Sequence, residues 1–107
     1  MWSSCEEIIL EDNISNAIVE VLAPADNSVL NITNVTFTWE PIEYADAYHL
    51  QVAVPNFATA LQIVEDTLIS QTNFSKTLVP EQYEWRVKAI NSAYETVYTT
   101  QSFRIEE

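Results

Sequence analysis

The sequence contains no glycine, one cysteine and one histidine, and only four basic residues stand against 16 acidic ones. Without glycine, the glycine-rich loops that cradle phosphates are excluded. One cysteine cannot form an internal disulfide, and one Cys with one His is too few for a Cys/His zinc site. The formal net charge of −12 argues against nucleic-acid binding, which depends on Lys and Arg. We therefore expect no metal, no cofactor and no nucleic-acid partner.

Apolar and polar residues alternate along several short segments, a pattern typical of strands with one packed and one solvated face. The apolar positions are Val35, Phe37 and Trp39; Tyr48, Leu50 and Val52; Tyr83, Trp85, Val87 and Ala89; and Phe103 and Ile105. Pro, Asn, Asp and Ser separate the segments, and without glycine we expect asparagine and aspartate to supply most left-handed turn conformations. A chain of 107 residues with this pattern predicts one all-β sandwich domain.

Seven strands fit the pattern, at about 17–22, 35–40, 47–54, 60–65, 68–78 (as one strand or two), 82–91 and 96–106. The matching pieces are the turn Pro24–Ser28, the strands Phe37–Glu40, Ala47–Val52 and Tyr83–Ala89, and the ending Gln101–Ile105. Together they resemble a bacterial fibronectin type III domain over residues 17–107. The resemblance implies a seven-stranded immunoglobulin-like β-sandwich, and it implies no particular function, because this fold carries many.

Four aromatic residues are predicted to belong to the core or its edge. Trp39, Trp85 and Tyr48 occupy inward positions of alternating strands. Tyr83 matches the tyrosine corner of such domains, in which the hydroxyl bonds to a backbone carbonyl a few residues upstream. These rings are expected to provide much of the stability of a small core.

Residues 1–16 are predicted to form a tether. Ser3 and Ser4 precede Cys5, and acidic residues follow it, which resembles the end of a lipobox and the export signal of Bacteroidetes surface lipoproteins. Trp2 departs from the usual leucine. The resemblance implies lipidation of Cys5 and attachment to a bacterial outer membrane through acyl chains. The alternative is an acidic tail with an incidental cysteine. A helical spacing of apolar residues from Leu10 to Val21 also allows a short helix.

The outward positions of two central strands carry a group of polar residues. They are His49, Gln51, Glu84, Arg86 and Lys88, with Arg104 as an expected neighbour from the last strand. One interpretation is a partner-binding face formed by His49, Gln51, Arg86 and Lys88. The other is a solvated surface with cross-strand ion pairs. As a catalytic base His49 has no evident nucleophile or orienting carboxylate in the sequence, so no catalytic residue is predicted.

Four further aromatic residues fall in or near loops. They are Tyr44, Phe57, Tyr94 and Tyr98. Exposed rings can stack on sugars, so these residues are the candidate ligand-binding site of a carbohydrate-binding module. They can equally cap the ends of the core. The leading hypothesis is a monomeric, non-catalytic, lipid-anchored envelope module that binds a protein or acts as a spacer; the alternative is a glycan-binding module of a polysaccharide-uptake system.

Overall fold

A computed structural model describes residues 12–106, and these residues form eight β-strands and no helix. The strands are β1 (Val21–Ala23), β2 (Ser28–Leu30), β3 (Asn34–Trp39), β4 (Ala47–Val54), β5 (Gln62–Ile69), β6 (Asn73–Thr77), β7 (Gln82–Ile90) and β8 (Thr99–Ile105). Cys5 and the first part of the predicted tether lie outside the described residues. The predicted all-β fold is confirmed.

The strands form two sheets that pack as a sandwich. One sheet has three strands in the order β1-β3-β6, and the other has five in the order β2-β8-β7-β4-β5. Every pairing is antiparallel except that of β2 with β8, which is parallel. This topology places β4, β7 and β8 side by side, so the outward residues of β4 and β7 share one face.

The core lies between the sheets and is built from the inward positions of the alternating strands. Trp39 and Trp85 are almost completely buried, and Phe37 packs edge-on against Trp85 at 5.0 Å between ring centroids. Tyr48 is also buried and contacts the Trp39 ring at 5.7 Å. Such edge-to-face pairs add to the burial of apolar area. The inward placement predicted for Trp39, Trp85 and Tyr48 is confirmed.

Tyr83 forms the predicted tyrosine corner. Its ring is buried and stacks on Phe103 at 5.2 Å between centroids. Its hydroxyl donates a 2.6 Å hydrogen bond to the backbone carbonyl of Val79. Burial is the main cause that raises the pKa of the Tyr83 hydroxyl, and the charge of nearby Glu81 adds to it. The corner thus joins the start of β7 to the segment before it.

The strand boundaries differ from the predicted ones at several points; β6 spans only Asn73–Thr77, and β8 begins only at Thr99. The first strand begins only at Val21, and β2, which pairs with β8, was not predicted because Ser28–Leu30 follows a turn and is only three residues long. The segment Gln62–Ile69 is one continuous strand, whereas the sequence predicted a break near residue 66. The register between β4 and β5 shifts between the pairs Val52–Glu65 and Ala53–Ile63. This shift interrupts the alternation of residues in β5, so alternation alone did not predict one continuous strand.

The residues before β1 pack against the sandwich without forming a helix. Ile14 and Val19 are buried in the core cluster, and Val19 accepts a hydrogen bond from Thr99 Oγ1 at 2.8 Å. In this irregular segment Ile14 and Val19 face the core, whereas Ile18, which belongs to the helical spacing, is 63% exposed. Residues 12–16, assigned to the tether from the sequence, contact the domain through Ile14.

Two residues adopt left-handed backbone conformations. Asn27 has a φ of 63°, as expected of asparagine in a glycine-free turn. Tyr44 has a φ of 71°, which is unusual for a bulky residue because its Cβ crowds the backbone. The sequence did not predict this role for Tyr44.

Candidate functional site

The outer face of the five-stranded sheet brings together the polar residues predicted to form a partner face. His49 of β4 lies opposite Lys88 of β7, and Gln51 lies opposite Arg86. All four side chains are partly exposed. Arg104 of β8 points to the same side, because its two neighbours in the strand are buried. The predicted outward orientation is confirmed, whereas a role of this face in binding stays a prediction.

Two of the loop aromatics also lie on this face and enclose Arg86. The guanidinium carbon of Arg86 is 4.0 Å from the ring centroid of Phe57 and 4.3 Å from that of Tyr98. The ammonium of Lys88 lies 4.8 Å from the Tyr98 ring. Cations above aromatic faces are attracted by the ring quadrupole. We refer to this surface, formed by His49, Gln51, Phe57, Arg86, Lys88 and Tyr98, as the Arg86 face.

Hydrogen bonds of the neighbouring backbone fix the positions of both rings. The backbone N–H of Phe57 donates to Glu84 Oε1 at 2.9 Å, which ties the β4–β5 loop to β7. Thr96, two residues before Tyr98, is buried. Its hydroxyl oxygen accepts from the N–H of Ala89, and its own N–H donates to the Ala89 carbonyl, so the segment that leads into β8 is held against β7. Because these loop positions depend on long-range contacts, strand alternation could not show that the two rings meet at Arg86. The predicted strand at 96–106 included Tyr98, whereas β8 begins only at Thr99.

His49 lies in a continuous row of hydrogen bonds. Its Nε2 is 2.5 Å from Asp66 Oδ1, and its Nδ1 is 2.8 Å from the hydroxyl of Tyr98. Gln51 donates to the other oxygen of Asp66 at 3.2 Å and accepts from Arg86 Nε at 2.8 Å. The hydrogen bond from His49, followed by that from Gln51, lowers the pKa of Asp66. The row orients five side chains of neighbouring strands and one loop.

The Asp66–His49–Tyr98 row supplies the carboxylate that sequence reasoning did not find beside His49. It nevertheless lies on an open sheet face, where the side chain of Asp66 is 57% exposed. Activation of a nucleophile normally requires a water-poor site with preorganised donors for the developing charge. The arrangement therefore orders a surface rather than a catalytic centre. Within residues 12–106, no group of three or more His, Cys, Asp or Glu side chains is placed to hold a metal ion.

Tyr44 and Tyr94 lie away from the Arg86 face, at the end of the sandwich where β4 begins and β7 ends. Asn91 organises this end: its Nδ2 donates to the carbonyl of Tyr44 at 3.2 Å, and its Oδ1 accepts from the N–H of Tyr94 at 2.8 Å. The side chains of Tyr44 and Tyr94 are 55% and 37% exposed. A shallow depression of about 350 Å³, lined by residues 90–95, adjoins Tyr94. The four loop aromatics thus divide into Phe57 and Tyr98, which contact Arg86, and Tyr44 and Tyr94, whose backbones bond to Asn91.

Comparisons with solved structures identify the fold. The chain is similar to the fibronectin(III)-like modules of Clostridium thermocellum CbhA, with a TM-score of 0.60 and 12% identity over 83% of this chain and 96% of that one. It is also similar to a fibronectin type III domain derived from a human protein, with a TM-score of 0.61 and 14% identity over 89% of this chain and 76% of that one.

A third similar structure is an Fn3-like protein from Clostridium thermocellum, with a TM-score of 0.54 and 17% identity over 84% of this chain and 90% of that one. No protein-family model matches the sequence, and a search of curated proteins found no match. At these identities the likeness shows the fold alone. The chain has a fibronectin type III fold, which fits a non-catalytic domain.

No helix long and apolar enough to cross a membrane is present in the part of the chain that the structure describes.

Proposed function

We propose that the chain is a non-catalytic module of a bacterial cell envelope that binds a partner protein through the Arg86 face. In this proposal a lipid on Cys5 anchors it to the outer membrane. The anchor is supported by the resemblance of residues 2–7 to a lipoprotein processing site. The observation that carries the binding role is the stack of Arg86 between Phe57 and Tyr98.

The composition of this face is typical of protein interfaces. Aromatic residues and arginine are enriched in interface cores, and Arg and Tyr are frequent among the residues that dominate binding energy. Phe57, Arg86 and Tyr98 are partly buried and held by neighbouring groups before any partner arrives. Ordered side chains lose less conformational entropy on association than free ones do. This preorganisation favours binding over a role as an inert spacer.

The outer face of the three-stranded sheet provides an internal reference. Thr36 and Ser75 lie there, with their hydroxyl oxygens 2.9 Å apart. Thr100 of β8 is exposed and lies opposite Arg86 in the five-stranded sheet. A photo-reactive amino acid at Thr100 samples the Arg86 face, and the same amino acid at Thr36 samples the other sheet.

The experiment is photo-cross-linking in cells that express the chain from its own gene. We expect a discrete cross-linked protein with the Thr100 probe and none with the Thr36 probe. Cross-links of equal yield from both positions, or none from either, would favour a spacer. The anchor is tested separately with an alkyne fatty acid, whose incorporation we expect to disappear in Cys5→Ser.

Carbohydrate binding at the end of the sandwich where β4 begins and β7 ends is a second candidate function. The exposed rings of Tyr44 and Tyr94 and the adjoining depression favour it, because exposed rings can stack on sugars. A glycan array probed with the folded chain tests this role. Saturable binding that is lost in Tyr44→Ala or Tyr94→Ala, and retained in Tyr98→Ala, would place the sugar at this end. Absence of binding across the array would exclude this role for the sugars tested.

A further inference from the structure

Among the residues that the structure describes, Arg86 is the one cationic side chain without a carboxylate partner. The ion pairs of the described residues are Lys76 with Glu65, Lys88 with Glu95, Arg104 with Glu106, and His49 with Asp66. Within residues 12–106, no carboxylate oxygen lies within 4.0 Å of a nitrogen of Arg86. In a chain with 16 acidic and four basic residues, partners for a cation are abundant. The lack of one at Arg86 is therefore a specific property of its surroundings.

The groups in direct contact with the Arg86 guanidinium are neutral. Phe57 and Tyr98 lie against it, and Gln51 accepts a hydrogen bond from its Nε at 2.8 Å. Gln51 also bonds to Asp66, so a neutral amide stands between that carboxylate and the guanidinium. The two terminal nitrogens of Arg86 have no hydrogen-bond acceptor among the described residues. As far as residues 12–106 are concerned, an oriented, charged pair of donors is thus available.

A guanidinium with its Nε occupied presents the two terminal nitrogens as a planar fork. This fork matches the two oxygens of a carboxylate, and such charge-assisted bidentate contacts are stronger than neutral hydrogen bonds. Resting on the proposed function of the Arg86 face, we propose that Arg86 binds a single carboxylate, an Asp or Glu side chain, of the partner protein. The Phe57 and Tyr98 rings beside the guanidinium restrict the directions from which that carboxylate can approach.

The net charge of the whole chain further restricts the class of partner protein. With a net charge of −12, the domain repels a polyanionic partner at long range and attracts a basic one. A basic segment is attracted by the negative charge of the domain, and one carboxylate within that segment can bind the terminal nitrogens of Arg86. The partner chemistry is therefore a lysine- or arginine-rich protein segment that carries one acidic side chain.

The inference is tested with two short peptides, one with a glutamate flanked by lysines and one with glutamine in its place. The full chain is titrated at constant ionic strength, and the side-chain nitrogen signals of Arg86 are followed by NMR. We expect saturable shifts with the glutamate peptide and roughly fivefold weaker binding of the glutamine peptide, because one charge-assisted contact is lost. Free galacturonate serves as a sugar-acid probe and is expected to bind no better than the glutamine peptide.

Two variants distinguish the effect of the planar fork of Arg86 from the effect of its positive charge. Arg86→Lys keeps the charge and removes the planar fork, so its preference for the glutamate peptide should be smaller than that of the unmodified chain. Arg104→Lys, at an arginine already paired with Glu106, should keep the full preference for glutamate. The thermal midpoint of each variant controls for folding.

An undiminished preference for glutamate in Arg86→Lys, equal binding of both peptides by the unmodified chain, or preferential binding of galacturonate would each overturn the inference. If the Thr100 cross-link persists unchanged in Arg86→Lys, the partner face stands and the carboxylate contact falls. If the Thr100 probe gives no cross-link in the unmodified chain, the proposed function itself fails.

Discussion

Replacing Tyr83 by phenylalanine removes one hydroxyl from the core and leaves the buried ring in place. The hydroxyl donates to the carbonyl of Val79 at 2.6 Å, and a hydrogen bond of this kind contributes about 1 kcal/mol to the free energy of unfolding. The ring packing on Phe103 is retained, so no cavity adds to the loss. For a domain of this size, about 1 kcal/mol lowers the thermal midpoint by about 4–8 °C.

The same substitution has a signature at alkaline pH. Burial, and then the charge of Glu81, raises the pKa of Tyr83 above its ordinary value of 10.0. The folded protein therefore holds the phenolic proton more tightly than the unfolded chain does. The resulting stabilisation is fully present below the unfolded pKa and is lost as the pH rises through the folded pKa. Phenylalanine has no such proton, so the advantage of tyrosine over phenylalanine should shrink above pH 10.0.

Urea unfolding of both proteins, followed by tryptophan fluorescence from neutral to strongly alkaline pH, measures this difference. Tyr44→Phe is the matched control, because Tyr44 is exposed and its hydroxyl should contribute less than about 0.5 kcal/mol. A Tyr83→Phe protein as stable as the unmodified chain at neutral pH would refute the tyrosine corner as a stabilising contact. A difference that is independent of pH would refute the part of the argument that rests on burial of the hydroxyl.

The remaining predictions concern three polar or strained positions. Tyr44→Asn should raise the unfolding free energy by about 0.5–1 kcal/mol, because asparagine tolerates the left-handed φ of 71° better; an unchanged or lower urea midpoint would contradict this. Lys76→Met should lower the unfolding free energy by about 1 kcal/mol, because half-buried Glu65 loses its partner, the Lys76 ammonium at 3.1 Å. The double variant that also carries Glu65→Leu should recover part of this loss in the urea midpoint. Asp66→Asn should destabilise by about 0.2–1 kcal/mol at near-neutral pH. Because the hydrogen bond from His49 lowers the pKa of Asp66, that difference should vanish as the pH falls below the ordinary value of 3.8, and a constant difference would disprove it.

The strands with regular alternation were predictable, because their period follows directly from burial of one face. β4 was predicted with its observed bounds, Ala47–Val54, and β7 differs from its prediction by one residue at its end. Alternation failed where the period is broken or the strand is short. β5 carries a register shift, and the three residues of β2 pair with the distant β8. Such pairings depend on tertiary contacts that no local pattern records.

The candidate site was predictable in part for the same reason. Alternation placed His49, Gln51, Arg86 and Lys88 on the outer face, since each lies between buried neighbours. It gave no position for Phe57 or Tyr98, because loop rings are placed by bonds such as that from the Phe57 N–H to Glu84. The sequence therefore described one polar face and one set of loop aromatics, whereas Phe57 and Tyr98 belong to the polar face.

The most direct test of the Arg86 face is the proton NMR spectrum of the Arg86 side chain in the isolated chain. Two aromatic rings within 4.0 and 4.3 Å of the guanidinium should shift the neighbouring Arg86 side-chain protons upfield, and Tyr98→Ala should reverse part of that shift. Arg104, which has no ring contact among the described residues, is the internal reference. Upfield-shifted Arg86 signals are the predicted result. Signals at the positions of a free arginine, unchanged by Tyr98→Ala, would contradict the account.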